Sequence, residues 1–382
     1  MAVYSDQHNF PSAAPRLLDC HPKEITVEAI EVVRLDGLVL VRAFTADGRF
    51  GVGTCNFRAP VLLPILKDLV IPSFLGRDAR CVEQCVKDAY RQNYKYHGTP
   101  LFNCIAYVET ACLDLLGQVT GKPVCALLGS VRQTEFDCYL SRMNRDTSAE
   151  EEADILARRV AETGARAVKF KVGGRMLNDE DSSPGRTETL IPLMRARLGD
   201  DTTLYADGNG SFSSAKAIEV GHMLQDNRYA WFEEPCPFEQ YEATKAAADA
   251  LNIPVAGGEQ DCNLALFRMM ITDRYVDVIQ PDLMYCGGII RALHIARMAR
   301  ENGMMVTPHS PKTNAELAQL LHFAAVVPNI GPFLEYNAGE QEEPSWYEPT
   351  FHLRPGGKLP VPLGPGFGVR YDDDIWERAE TL

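Results

Sequence analysis

From residue 131 onward the sequence repeats one arrangement, in which a short apolar segment is followed by an amphipathic one. We interpret eight apolar segments as strands: FDCYLSRM, RAVKFKV, TTLYADGN, YAWFEEP, IPVAGGEQ, VDVIQPD, MMVTPHS and GPFLEYN. Segments of helical periodicity separate them, and one begins at a capping box, Ser148–Glu151, and ends at Gly164. Strands that are apolar on both faces are typical of parallel sheets covered by helices. Residues 131–348 are therefore predicted to form a parallel barrel of alternating strands and helices.

Residues 1–130 follow a different pattern. Between Ile25 and Cys55 apolar and polar residues alternate, with turn signals at Asp36-Gly37 and Asp47-Gly48, which predicts an antiparallel meander of about three strands. The following residues change to helical periodicity, so this part is predicted to be a separate α+β domain. Residues 349–382 are rich in Pro and Gly and are predicted to pack against that first domain.

The balance of charges excludes several classes of partner. The chain has 38 Lys and Arg against 52 Asp and Glu, which gives a net charge of −14. This surplus repels phosphate groups, so neither nucleic acid nor an anionic membrane surface is the expected partner. No apolar run approaches the roughly 18 residues of a membrane-spanning helix, and no secretory signal is recognisable, so a cytoplasmic location is expected. The eleven cysteines are scattered and are expected to be free thiols.

Ionisable residues follow the predicted barrel strands. Strands two to eight carry, in order, Lys169 and Lys171, Asp207 with Asn209 just beyond, Glu233 and Glu234, Glu259, Asp282, His309 and Glu335. The carboxyl ends of barrel strands meet at one face, where such enzymes have their active sites. Charges that converge in this way are costly to desolvate unless something neutralises them. The spacing therefore predicts a binding or catalytic site at this face.

Three of these carboxylates indicate a metal. Asp207, Glu233 and Glu259 lie on three adjacent predicted strands and would supply three hard oxygen ligands. Such a set leaves coordination positions for water and substrate, and it favours Mg²⁺. A magnesium site is therefore predicted at these residues.

The remaining charges suggest proton transfer. Lys169 and Lys171 point the same way because they are two residues apart in a strand, and neighbouring ammonium groups should lower each other's pKa. His309 and Asp282 lie on neighbouring strands, where a hydrogen bond would fix the imidazole tautomer. Lys171 and His309 would then face each other across the site as bases. Glu335, if protonated, could donate a hydrogen bond to a substrate carboxylate.

These motifs together resemble a known family. Their order and spacing are similar to those of the enolase superfamily, mandelate racemase subgroup: Lys169-Phe-Lys171, Asp207-Gly-Asn209, Trp231-Phe-Glu233-Glu234-Pro235, Gly258-Glu259, Gln280-Pro281-Asp282, His309 and Glu335. The resemblance implies an N-terminal capping domain, a modified (β/α)7β barrel, a bound Mg²⁺ and an even-numbered homo-oligomer. It also implies that Lys171 is the base on one face of the substrate and that His309, paired with Asp282, is the base on the other.

The resemblance gives the other residues supporting roles. Lys169 would neutralise the substrate carboxylate, Glu335 would hydrogen-bond to it, and Glu234 would lie behind the metal ligands. Substrate choice would depend on loops of the capping domain, for which the candidates are Asn56 and Arg58, the arm around His21, and residues 94–97. Asn209 is a further candidate for substrate binding. Arg58 would suit a second anionic or a polyhydroxylated end of the substrate.

Three functions follow from this reading. The favoured one is an acid-sugar dehydratase, in which removal of the proton α to a carboxylate gives an enediolate that loses water to form a 2-keto-3-deoxy acid. The alternative is a racemase or epimerase of a 2-hydroxy or related carboxylate, in which the opposite base returns the proton. A third possibility is a non-catalytic, metal-dependent carboxylate-binding protein with the same fold. In each case the partner is a small carboxylate.

Overall fold

The computed structural model describes residues 17–176, 179–339 and 345–382. Its first domain contains the predicted meander as strands β1 (Ala29–Leu35), β2 (Leu38–Phe44) and β3 (Phe50–Thr54). Both residues of the first turn have a positive φ, 48° for Asp36 and 81° for Gly37, as a tight two-residue hairpin requires. The predicted arm before residue 17 lies outside the described residues.

Helices cover one face of this sheet. The α-helices of the first domain are α1 (Ala59–Pro64), α2 (Val82–Gln92), α3 (Thr99–Thr120) and α4 (Val124–Leu128). Glycines in β3 allow the long helix α3 to approach closely, because a Cβ atom on Gly51 would lie 2.0 Å from the backbone nitrogen of Leu115. The helix ends at Gly121, which has the left-handed conformation of a C-cap.

The second domain is built from eight parallel strands. They are β4 (Glu135–Ser141), β5 (Ala167–Lys171), β6 (Thr203–Asp207), β7 (Trp231–Glu233), β8 (Val255–Gly257), β9 (Val278–Ile279), β10 (Met305–Val306) and β11 (Leu334–Asn337). Seven helices connect them: α5 (Ala149–Thr163), α6 (Arg186–Leu198), α7 (Ser214–Asp226), α8 (Tyr241–Ala250), α9 (Leu264–Thr272), α10 (Ile289–Glu301) and α11 (Leu317–Ala324). The predicted capping box is present, since Ser148 and Glu151 bond to each other's backbone N–H groups.

The strand order closes the sheet into a barrel. Strands β4 to β10 pair in sequence order, and β11 returns to pair with β4 in parallel. The remaining gap is bridged where Val306 of β10 pairs with Ile330, just before β11. Eight strands with seven intervening helices confirm the predicted modified (β/α)7β barrel.

The C-terminal segment joins both domains. It contains β12 (Tyr347–Glu348), β13 (Lys358–Pro360), β14 (Arg370–Tyr371), α12 (Ile375–Arg378) and β15 (Glu380–Thr381). Strand β15 pairs with β1 and adds a fourth strand to the first sheet, whereas β13 pairs antiparallel with β4 of the barrel. The tail therefore also lies against the barrel, which its composition did not indicate.

Aromatic side chains fill the barrel beneath the charged residues. Tyr139, Tyr205 and Trp231 form a small buried cluster, and the rings of Tyr205 and Trp231 stack with centroids 3.5 Å apart. The ammonium of Lys169 lies 5.5 Å from the Tyr139 ring centroid, so charges begin directly above this cluster. All eleven cysteines are unpaired, as predicted. Among the described helices, none combines the length and apolar character needed to cross a bilayer.

Candidate active site

The three predicted metal ligands converge. Asp207 ends β6, Glu233 ends β7 beside it in register, and Glu259 follows β8. One carboxylate oxygen from each of these buried residues lies within 4.8 Å of the others. Adjacent parallel strands thus bring together three acids that are far apart in sequence.

The hydrogen bonding of this cluster fits a cation. Oε1 of Glu259 accepts a hydrogen bond from Gln260 at 2.8 Å, but its buried Oε2 has no hydrogen-bond partner among the described residues. Oδ1 of Asp207 accepts the backbone N–H of Asn209 at 2.8 Å. A buried carboxylate oxygen without a donor is costly, and a divalent ion with oxygen preference would satisfy it.

Lys169 lies below this cluster in what we call the charged layer, formed by Lys169, Glu233 and Glu335. Its Nζ atom contacts Glu233, and it is 2.9 Å from Oε1 of Glu335 and 3.7 Å from Oδ2 of Asp207. Burial lowers the pKa of Lys169, but Glu233 and Glu335 outweigh burial and raise it well above its usual value. The expected lowering of this pKa by Lys171 was therefore wrong, because Lys169 is surrounded by carboxylates.

Glu335 lies beside Lys169, which lowers the pKa of its carboxyl group. It is the second residue of β11 rather than its end, and its Oε2 accepts the backbone N–H of Ser310 at 2.7 Å. Burial raises its pKa, but Lys169 and His309 outweigh this and lower it to about 2. This direction disfavours the predicted hydrogen bond from a protonated Glu335 to the substrate, because the Glu335 carboxylate is paired with Lys169.

The two predicted bases both reach one cavity of about 340 Å³. Lys171, at the end of β5, also contacts the carboxylate of Asp207. His309 follows β10, and four strands separate β10 from β5 around the barrel, so the two bases approach the cavity from opposite sides. Such a pair can act on the two faces of one carbon atom.

A carboxylate orients His309 as predicted. Nδ1 of His309 lies 2.9 Å from Oδ2 of Asp282, and Oδ1 of Asp282 accepts the backbone N–H groups of Met284 and Tyr285 at 2.8 and 3.0 Å. Burial lowers the pKa of His309, but Glu259 and Asp282 outweigh it and raise it to about 9. The contact between Nδ1 and Asp282 fixes the imidazole ring, so that its Nε2 atom is directed away from Asp282 and lies 3.6 Å from Oε2 of Glu259.

Asn209 and Glu234 line the same cavity from the loops after β6 and β7. Nδ2 of Asn209 donates to Oε2 of Glu234 at 3.2 Å, and its Oδ1 accepts from Nη2 of Arg145 at 3.0 Å. Burial, with the charges of Glu259 and Asp207, raises the pKa of Glu234 well above its usual value. Asn209 thus connects the carboxylate of Asp207, through its backbone N–H, to Glu234 at the cavity wall.

The predicted specificity residues separate into two groups. Arg58 lines the cavity, contacts the hydroxyl of Tyr285 and lies with its guanidinium 4.6 Å from the Tyr285 ring centroid. Asn56 instead holds its own loop, since Nδ2 donates to Asn103 at 2.7 Å and Oδ1 accepts from Tyr107 at 2.6 Å. Its side-chain amide is therefore already engaged within the protein.

Two of the predicted segments do not line this cavity. Nδ1 of His21 lies 2.9 Å from the carbonyl oxygen of Lys23, and this histidine is absent from the described cavity lining. His97 lines a separate cavity of about 200 Å³, and its ring packs against Tyr90 and Phe102. Neither His21 nor residues 94–97 belong to the described lining of the cavity that holds the bases.

Several cavity residues were missed by the sequence analysis. Tyr285, Lys312 and Arg175 line the cavity, and Arg145 holds Asn209 from behind. They lie in loops beyond the strand ends, without a period or a motif that could have identified them. The one available signal was position, because Lys312 follows His309 by three residues in the same loop.

Comparison with known proteins agrees with this arrangement. Residues 16–129 match the family model of the mandelate racemase / muconate lactonizing enzyme N-terminal domain, and residues 151–375 match that of the enolase C-terminal domain-like family. The chain belongs to the enolase superfamily, mandelate racemase subgroup. It is an enzyme of the hydro-lyase or racemase type.

Individual relatives span both reaction types. The enzyme is 24% identical to the arabinonate dehydratase of Saccharolobus solfataricus over 94% of this chain and 91% of that protein. A solved structure of a candidate racemase from Roseobacter denitrificans has a TM-score of 0.88 and 36% identity, covering 94% of this chain and 99% of that one. A magnesium complex of a mandelate racemase/muconate lactonizing protein from Paracoccus denitrificans has a TM-score of 0.82 and 24% identity, over 94% and 99% of the two chains.

Proposed function

We propose that this enzyme removes the proton α to the carboxylate of an acid sugar and then eliminates water to give a 2-keto-3-deoxy acid. One observation carries the proposal: Lys171 and His309 face one cavity from opposite sides, next to a cluster of three buried carboxylates. A proton α to a carboxylate is a weak acid, so the developing negative charge must be stabilised where it forms. The site combines bases with the means for that stabilisation.

Mg²⁺ would be held by Asp207, Glu233 and Glu259. The donor set is entirely oxygen, and the buried Oε2 of Glu259, which has no hydrogen-bond partner among the described residues, is the strongest indication that a cation belongs there. When bound, such an ion stabilises the negative charge of the substrate carboxylate as the α-proton leaves. The positive charge of Lys169, directly below, would add to this effect.

The bases then have distinct tasks. Lys171 would accept the α-proton through Nζ, and His309 on the other side would donate a proton from Nε2 to the β-hydroxyl as it leaves. The C–H and C–O bonds break, water departs, and the resulting enol tautomerises to the 2-keto acid. Asp282 keeps the His309 ring oriented through Nδ1 throughout.

Racemisation or epimerisation is the second candidate. The same two bases could remove a proton on one face and return one on the other. The likeness to the Roseobacter denitrificans protein supports this alternative, whereas the relative from Saccharolobus solfataricus, which is named a dehydratase, supports water loss. We favour dehydration because His309 can be the proton donor that a leaving hydroxyl requires.

Proton NMR distinguishes these functions. The purified protein with Mg²⁺ in D2O would be incubated with a panel of mono- and diacid sugars and simple 2-hydroxy acids. We expect a 2-keto-3-deoxy acid from at least one acid sugar, and none with Lys171→Ala. Deuterium at the α-carbon without water loss would replace the proposal by racemisation. Binding without any exchange or product would indicate the non-catalytic alternative.

A further inference from the structure

Two cations that are not used by the proposed reaction meet at one side of the cavity. Arg58 comes from the capping domain and Lys312 from the loop after β10, and both line the cavity. The exposed ring of Phe57 lies between them, with its centroid 4.4 Å from the Arg58 guanidinium and 5.9 Å from Nζ of Lys312. We call Arg58 and Lys312 the cationic wall.

The cationic wall has more positive than negative charge. Lys312 lies 3.5 Å from a carboxylate oxygen of Glu316, but no carboxylate among the described residues pairs with Arg58. The charge of Asp282 also acts on Lys312, but the oxygens of Asp282 are engaged by His309 and backbone N–H groups. Counted with Glu316, the cationic wall therefore carries one more positive than negative charge.

The position of this charge suits a ligand. Glu316, the partner of Lys312, lines a second cavity of about 420 Å³ and a small one shared with His309, but it is absent from the described lining of the cavity of the bases. Arg58 is held by Tyr285, whose ring lies 6.0 Å from that of His309. A guanidinium that is fixed at a cavity wall and lacks a carboxylate is prepared for a carboxylate or phosphate.

We propose that the cationic wall binds a second anionic group on the substrate, remote from the carboxylate at the metal. The inference rests on the proposed function and specifies its substrate class: an acid sugar with two anionic ends, the second being a carboxylate or a phosphate. A neutral hydroxymethyl end would leave the positive charge of Arg58 uncompensated in a partly closed cavity.

Calorimetric titration tests this without turnover. Binding would be measured in the double variant Lys171→Ala, His309→Asn with Mg²⁺. The ligands are matched sets that differ at one end only: gluconate, glucarate and 6-phosphogluconate, and the corresponding acids derived from galactose and mannose. We expect at least one dianionic ligand to bind roughly 10- to 100-fold more tightly than its monoacid. The preferred dianion identifies the second group as carboxylate or phosphate.

Further variants show whether the cationic wall causes the preference. Adding Arg58→Met to the double variant should remove the preference for the dianionic ligand, whereas Arg58→Lys should retain part of it. Glu316→Gln should strengthen binding of the dianionic ligand, because Lys312 loses its partner. Lys67→Met removes the same charge from an exposed site outside the described cavity lining and should leave the preference intact. No dianion preference in any pair, or a preference that survives Arg58→Met, would overturn the inference.

The two proposals can fail separately. A dianion preference that depends on Arg58, with no turnover of the same ligands by the native enzyme, would refute the dehydratase proposal and leave the binding site. Dehydration of monoacids, with equal affinity for the matched dianions, would refute the binding site and leave the reaction.

Discussion

The charged layer and the cationic wall lie at two levels of one site and are built in opposite ways. In the charged layer, Lys169, Glu233 and Glu335 are fully buried, and each has an opposite charge in contact. In the cationic wall, Arg58 is partly exposed and has no carboxylate partner among the described residues. The difference indicates that the charged layer is balanced before substrate arrives, whereas the wall would be balanced by the substrate.

The largest effect on activity should come from removing the two proposed bases, Lys171 and His309. Lys171→Ala and His309→Asn should each lower kcat roughly 100- to 10,000-fold, because each removes a positioned proton-transfer group. Initial rates with the substrate identified by NMR would measure this. Metal affinity, from calorimetry, should change little in His309→Asn. Normal kcat in both variants would contradict the assignment of the bases.

The charged layer itself should be sensitive to loss of its cation. Lys169→Met leaves two buried carboxylates without their partner and should lower the free energy of unfolding by about 3–5 kcal/mol in metal-free protein. Lys171→Met is the matched control, since it lies two residues away and, among the described residues, pairs with Asp207 alone. Urea unfolding of both variants checks the comparison, and equal losses would show that the charged layer has no special role in stability.

The same contrast explains what could be predicted from the sequence. Regular strands fix the direction and the spacing of their side chains. The pattern of one ionisable residue per strand–helix repeat was therefore enough to predict that Asp207, Glu233 and Glu259 lie together. The lowered pKa of Glu335 was not predictable, because it depends on the contact with Lys169, which lies two strands away in the barrel. Lys312 was missed because it lies in a loop, where side chains have no regular spacing from which their positions could be predicted.

The contact of helix α11 with the capping domain and the C-terminal segment should respond to pH, because it contains the buried His322. His322 of α11 accepts the backbone N–H of Cys125 through Nδ1 at 2.9 Å, and its Nε2 lies 2.9 Å from the carbonyl oxygen of Pro362 in the tail. Burial lowers its pKa to about 4, from 6.5. The folded state therefore prefers the neutral ring, while the unfolded chain takes up a proton.

The resulting stability is fully present above pH 6.5 and is lost as the pH falls towards 4, by on the order of 3 kcal/mol. Urea unfolding of the native protein and of His322→Asn at pH 7 and pH 5 would measure it. The stability difference between the two proteins should shrink at pH 5. A constant difference would show that His322 does not titrate with unfolding.

The smallest effect should come from the aromatic ring between the two cations. Phe57 is 76% exposed, so Phe57→Ala should change the free energy of unfolding by no more than about 0.5 kcal/mol. Its ring lines the cavity, and we expect KM to rise a few-fold while kcat stays constant. Steady-state kinetics would show this split. A large fall in kcat would instead mean that the wall takes part in the reaction.

The pairing of β15 with β1 has a consequence for synthesis. The first sheet obtains its fourth strand from residues 380–381, so the ribosome must deliver the whole barrel before that sheet is complete. Until then, the edge of β1 is open to pairing with other chains.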